Sequence, residues 1–172
     1  MPNLACEHEE TATSAPCFSE DACRHTLGPE CAICSFIGTP PPGGWYLENE
    51  FWRLGPFLAP APPGVVLVYL RRHATGLSAM RPEELEALGP TPAAAVRAIE
   101  RVLQPERVYT VMFGEQIQHV HFVLMPRGSE VPVEHRSAAL VLNQAHYIDP
   151  EAALQAAVRL REALQAQDLP RQ

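Results

Sequence analysis

The 172-residue chain carries a formal net charge of −7, is 47% hydrophobic, and its thirteen basic residues are all arginine. An acidic chain of this kind is not expected to bind DNA, RNA or an anionic membrane, which requires a basic surface that displaces counterions. Without lysine there is no lysine nucleophile, Schiff base or P-loop lysine, so a phosphate clamp has to use arginine, histidine or backbone amides.

Residues 1–29 are rich in Glu, Thr, Ser and Ala and lack hydrophobic periodicity. They read as an acidic, partly disordered N-terminal extension, and residues 30–172 as one globular domain. Met1 to Glu10 has no apolar core segment, and the longest apolar run, Val65 to Leu70, is far short of a membrane span. A soluble, cytoplasmic protein is expected.

After the turn-forming Pro40-Pro41-Pro42-Gly43-Gly44, the segments Trp45 to Glu48 and Phe51 to Leu54 predict a hairpin around Asn49. Val65 to Leu70 predicts a buried central strand ending at Arg71-Arg72-His73. Pro82, Glu83 and Glu84 open a helix whose apolar stripe is Leu85, Leu88, Val96, Ile99 and Leu103, and which Pro90 and Pro92 kink or split. Arg107 to Phe113 and His119 to Met125 follow as strands. Asp149-Pro150-Glu151 caps a last helix reaching about Gln167, with Ala153, Ala157, Leu160 and Leu164 on one face. His135 and His146 fall in the loop before it and read as surface residues. Short loops between strands and no regular strand-helix-strand alternation give an α+β class: an antiparallel sheet of about five strands, a helix after the central strand and a C-terminal helix.

Chemistry concentrates in Gln118-His119-Val120-His121-Phe122-Val123-Leu124-Met125-Pro126-Arg127. Strand alternation places His119 and His121 on one face and Val120, Phe122 and Leu124 on the other. A buried imidazole needs partners for its ring nitrogens, so two on one face indicate a bound species or a satisfied core pair.

Cys31-Ala32-Ile33-Cys34 is a CxxC, half of a tetrahedral metal site. His73, ending the central strand, and His119, starting the histidine strand, are the candidates for the other half. Cys2His2 would hold a structural zinc with no open position. The spacing alone leaves open a redox pair or a coincidence among five cysteines. Cys6, His8, Cys17, Cys23 and His25 could form a second site or remain free in the extension.

Taken together, these residues resemble the histidine-triad (HIT) superfamily, whose motif alternates three histidines with apolar residues and is often followed by Pro-Arg. The similarity spans about Cys31 to Arg127: the CxxC, Pro63-Gly64, Arg71-Arg72-His73, the Glu-rich helix at Pro82 to Leu88, and His119-Val120-His121 through Pro126-Arg127. The resemblance implies zinc on Cys31, Cys34, His73 and His119. It also implies that His121 is the nucleophile at a nucleotide α-phosphate, forming a nucleotidyl-histidine that water or another acceptor resolves. A nucleotide or nucleotide conjugate as ligand and a homodimer are implied as well. Galactose-1-phosphate uridylyltransferase is similar in giving zinc to the first histidine and nucleophilic attack to the second.

Two positions depart from the pattern. Val123 stands where the third histidine belongs, and Val65 where many members carry another. Valine can neither protonate a leaving group nor donate to a phosphoryl oxygen, so the alternative expectation is a catalytically impaired nucleotide-binding or interaction module with the same zinc. Before the triad, Gly114-Glu115-Gln116-Ile117-Gln118 replaces a longer phosphate-holding stretch. Gln116, Gln118 and Arg127 are the candidate phosphate donors there, while Glu115 would repel a phosphate unless turned away.

Overall fold

The computed structural model describes residues 31–57 and 59–166. The expected N-terminal extension, its boundary with the domain, and Cys6, His8, Cys17, Cys23 and His25 lie outside the described residues.

The chain enters through helix α1 (Ala32–Ile37) and forms strands β1 (Leu47–Glu48), β2 (Trp52–Pro56) and β3 (Val66–Leu70). Helices α2 (Pro82–Glu86) and α3 (Pro90–Leu103) come next, then β4 (Arg107–Val111), β5 (His121–Arg127), α4 (Ala138–Asn143) and α5 (Pro150–Gln165). The strands make one sheet in the order β1-β2-β3-β5-β4, antiparallel throughout. The α+β architecture expected from the sequence is therefore the observed one.

Local chemistry explains the element ends. Asn49 Oδ1 accepts from the Phe51 and Trp52 amides at 3.0 and 2.8 Å, closing the β1–β2 turn. The two prolines do split the predicted helix: α2 ends at Glu86, and Pro90 and Pro92 occupy the first turn of α3, where a proline costs no hydrogen bond. The Asp149 side chain accepts from the Ala152 amide at 3.0 Å and caps α5. Gly64 enters β3 at φ +81°, and a β-carbon there would lie 2.1 Å from Leu103 Cδ1. No other residue type suits that close approach.

All five β3 residues are buried, as a central strand covered on both faces requires. On one face Val66, Val68, Leu70 and Leu124 pack with Ala95, Ala98 and Ile99 of α3 and with Leu160 and Leu164 of α5. Ala156 is buried on α5 and Ala157 only partly, so the helix face is rotated slightly from the expected one through Ala153. The opposite face carries Leu67 and Tyr69 under Ile33 and Trp45, and Met125 with Val65 and Leu140. Both long helices thus lie on one side of the sheet; the other side is covered by the six-residue helices α1 and α4.

Several boundaries differ from the sequence reading: β1 starts at Leu47 rather than Trp45, β2 spans Trp52–Pro56, and β4 ends at Val111 rather than Phe113. β5 begins at His121, so His119 lies just before the strand, with its amide on Ile117 O at 2.9 Å while Val120 bonds to Ala74 O and accepts from Leu70 N. Helix α4 and two short 3-10 turns occupy the segment read as loop, because a six-residue Ala-Ala-Leu-Val-Leu-Asn run is too short to show a helical period.

Candidate functional site

The sheet's antiparallel pairing carries the end of β3 past the start of β5, and so brings His73 and His119 together from residues 46 apart in sequence. Their rings meet edge to face with centroids 5.3 Å apart. Helix α1 lies over this end of the sheet through Ile33, which is fully buried, and delivers Cys31 and Cys34. One ligand atom from each of Cys31, Cys34, His73 and His119 falls within 4.8 Å of all the others.

The donor set passes a geometric test for zinc. A tetrahedral ion with the usual zinc–sulfur and zinc–nitrogen bonds sets sulfur and nitrogen about 3.5 Å apart. Cys31 Sγ to His119 Nδ1 is 3.5 Å, Cys34 Sγ to His119 Nδ1 is 3.4 Å, and Cys34 Sγ to His73 Nδ1 is 3.3 Å. His119 Nε2 donates to Leu70 O at 2.7 Å, which places its only proton on Nε2 and turns the Nδ1 lone pair toward the thiols. Burial pushes the His119 ring down to about 4, despite the Leu70 carbonyl acting the other way, with His73, His121 and Arg72 adding to the depression. The ring is therefore neutral at pH 7, as a metal ligand must be. Four residues with two thiolates close and neutralise a structural zinc site.

Arg72 anchors the segment that carries His73. Its Nε and Nη2 bind both Glu84 oxygens at 2.8 and 2.7 Å, and Nη2 also reaches Ala79 O. Burial alone would raise the Glu84 carboxyl; the Arg72 guanidinium and the Arg81 amide more than offset this and hold it below the usual carboxylate range.

His121 sits beside this cluster but points elsewhere. It pairs with Tyr69 across the β3–β5 ladder and lines a hollow of about 540 Å³. Its Nδ1 is 2.6 Å from His119 O, and because a carbonyl can only accept, Nδ1 carries the proton and Nε2 the lone pair. Phe57, Phe113, Val123 and Met125 give the hollow an apolar wall, and Glu115, Gln116 and Gln144 supply its polar atoms besides His121.

This geometry has many counterparts among solved structures. A HIT-like protein from Bartonella henselae matches with a TM-score of 0.61 at 17% identity, over 80% of this chain and 98% of that one. A zinc-bound histidine triad family protein from Mycobacterium smegmatis gives 0.59 at 18%, over 80% and 94%. A hypothetical histidine triad nucleotide-binding protein from Sulfolobus tokodaii gives 0.60 at 17%, over 78% and 92%. The chain has the histidine-triad fold. No family model matches it, and no curated protein matches it either.

Within that fold, the remaining predicted site residues separate. Gln116 lines the hollow with His121, whereas Gln118 is exposed and is not part of the wall. Arg127 is the clear correction. It lies six residues further along β5, roughly 20 Å away at ~3.3 Å per residue. There it is 5% exposed and its Nη1 is held by Glu106 Oε2 at 2.5 Å and Gly128 O at 3.1 Å. An arginine already neutralised at the far end of the strand cannot clamp a phosphate at His121. Trp45 and Trp52 are buried in the core, and Phe57 joins the hollow's wall. His146 is exposed, and His135 is half-buried against the Tyr147 hydroxyl at 2.7 Å. Phe113, Val141 and Gln144 were not singled out from sequence. Each reaches the hollow only through tertiary packing, and no periodicity or motif marks them.

Proposed function

We propose that the chain binds a nucleotide or nucleotide conjugate in the hollow beside His121 and transfers its nucleotidyl group through that histidine, with zinc on Cys31, Cys34, His73 and His119 bracing the strand. The observation that carries this reading is the 2.6 Å bond from His121 Nδ1 to His119 O, on a side chain that lines the hollow. It holds the nucleophilic tautomer in place at no cost at the moment of attack.

Nε2 of His121 attacks the α-phosphorus; the P–N bond forms as the bond to the leaving group breaks, and the leaving group departs with the electron pair. Water or another acceptor then attacks phosphorus; the P–N bond breaks with its electron pair returning to Nε2, the acceptor's proton passes to solvent, and the nucleotidyl group is released on the acceptor oxygen. Gln116 and Gln144, which line the hollow with His121, supply the amide donors to phosphoryl oxygens in this reading. Zinc, when bound, supplies charge-neutral structural support and leaves His121 free. Zinc in the Mycobacterium smegmatis relative and the nucleotide-binding designation of the Sulfolobus tokodaii one support this assignment. β4 ends the sheet among the described residues, which supports pairing with a second copy.

Val123 favours a second reading, a nucleotide-binding module with impaired turnover. It stands two residues from His121 on the same face and lines the hollow with hydrocarbon where a donor would act. Labelling with an activated nucleotide ester separates the two. His121-dependent covalent nucleotidylation is expected for the enzyme; binding without labelling supports the module; equal labelling of the parent and His121→Ala rejects the nucleophile.

A further inference from the structure

The charges around the hollow select among phosphoryl compounds, and we infer that Glu115 is a specificity-determining residue favouring a nucleotide ester or amidate with a cationic leaving group over a polyphosphate. The inference rests on the nucleotide reading above and extends it to substrate class. Among the described residues lining the hollow there is no arginine, and the chain has no lysine. Among the described lining residues, Glu115 is the one acidic or basic side chain apart from His121.

Several described arginines are committed elsewhere, Arg136 to Val131 O among them. Arg53 binds Glu48 and Ile37 O, Arg71 binds Asn49 O, Arg72 binds Glu84, and Arg127 binds Glu106. A β,γ-phosphate entering the hollow would leave water for an apolar wall and a carboxylate, with no cation to replace its hydration. A phosphodiester or phosphoramidate brings a single negative charge to phosphorus, within reach of the glutamine amides. A protonated amine on its leaving-group side would meet Glu115 at the mouth of the hollow, where Phe113 and Gln116 are also exposed. An exposed carboxylate of this kind discriminates modestly, by about five- to tenfold for one charge in low salt.

The test measures equilibrium binding to the zinc-loaded full chain at low and high salt. Its probes are the 2-aminoethyl and 2-hydroxyethyl phosphodiesters of adenosine and of uridine, with the corresponding nucleoside triphosphates. The aminoethyl esters are expected to bind about five- to tenfold more tightly than their hydroxyethyl twins, and both more tightly than the triphosphates. The amine preference should shrink in high salt and vanish in Glu115→Gln, while Glu115→Arg should raise triphosphate affinity by roughly tenfold. Glu115 is exposed, so both variants are expected to unfold at the parent's temperature, which a melting curve checks. Binding of the esters without an amine preference, tightest binding of a triphosphate, or an amine preference surviving in Glu115→Gln overturns the role of Glu115 while leaving the nucleotide reading intact. No binding of any probe overturns the nucleotide reading and this inference with it.

Discussion

His121 donates from Nδ1 to the main-chain oxygen of His119, and His119 in turn directs its own Nδ1 at Cys31 and Cys34. The residue that closes the metal site is therefore the one whose carbonyl fixes the tautomer of the proposed nucleophile. Each chain is expected to carry one zinc, measured by elemental analysis, and Cys34→Ser to lose it. Since the ion ties α1 to the ends of β3 and β5, its removal should lower stability by about 4 kcal/mol, or roughly 10 °C in melting temperature. An unchanged melting curve in chelator would remove zinc from the account.

Val123 offers a gain-of-function experiment. It lies two residues after His121 on the same strand face, so a Val123→Gln side chain would present an amide donor to the hollow. A single donor aimed at developing oxyanion charge is commonly worth a hundredfold or more in rate. Without optimised placement, a rise of roughly tenfold in nucleotidyl transfer is expected. Single-turnover kinetics with an activated nucleotide ester provide the check, and a fall in rate would show that the hollow needs its hydrocarbon wall more than a donor.

Acid stability should depend on Glu84. Its carboxyl is held below the usual range, so its contribution is present at neutral pH, persists down through the unfolded-state value near 4.5, and is lost as pH falls through the lower folded-state value. Glu84→Gln is expected to cost about 2 to 4 kcal/mol at pH 7 by leaving Arg72 without its bidentate partner. The deficit should narrow toward pH 3. Urea unfolding of both proteins between pH 3 and 7 measures this, and a deficit that stays constant with pH would assign the loss to packing instead.

Gly64→Ala tests the entry to the central strand. The substitution imposes a left-handed conformation on an L-residue and drives a β-carbon into Leu103. A loss of about 2 to 4 kcal/mol is expected, as a lower urea midpoint with unchanged slope.

Much of this structure could be read from residue patterns because the decisive signals are local. Asn49 made a turn, Pro82 and Pro90 opened helices, and an unbroken apolar Val66 to Leu70 became the strand buried on both faces. The meeting of Cys31, Cys34, His73 and His119 was anticipated through resemblance, since spacing alone left the CxxC ambiguous. Less legible were features made by packing. Nothing in the run Met125-Pro126-Arg127 reveals that Glu106, across the β4–β5 ladder, takes the guanidinium away from the site. Helix α4 is too short for periodicity, so Val141 and Gln144 could not be placed beside His121 in advance.

Among the described residues the sheet is layered unevenly, with the long helices α3 and α5 on one side and the short α1 and α4 on the other, which sets a firm face against a yielding one. Amide exchange should be slowest in β3 and α3 and markedly faster in α4 and residues 113–117, so the rim can breathe without unfolding the core. Residence time of whatever occupies the hollow then follows the opening rate of those short segments, which makes substitutions in α4 a means of tuning ligand escape without altering the side chains beside His121.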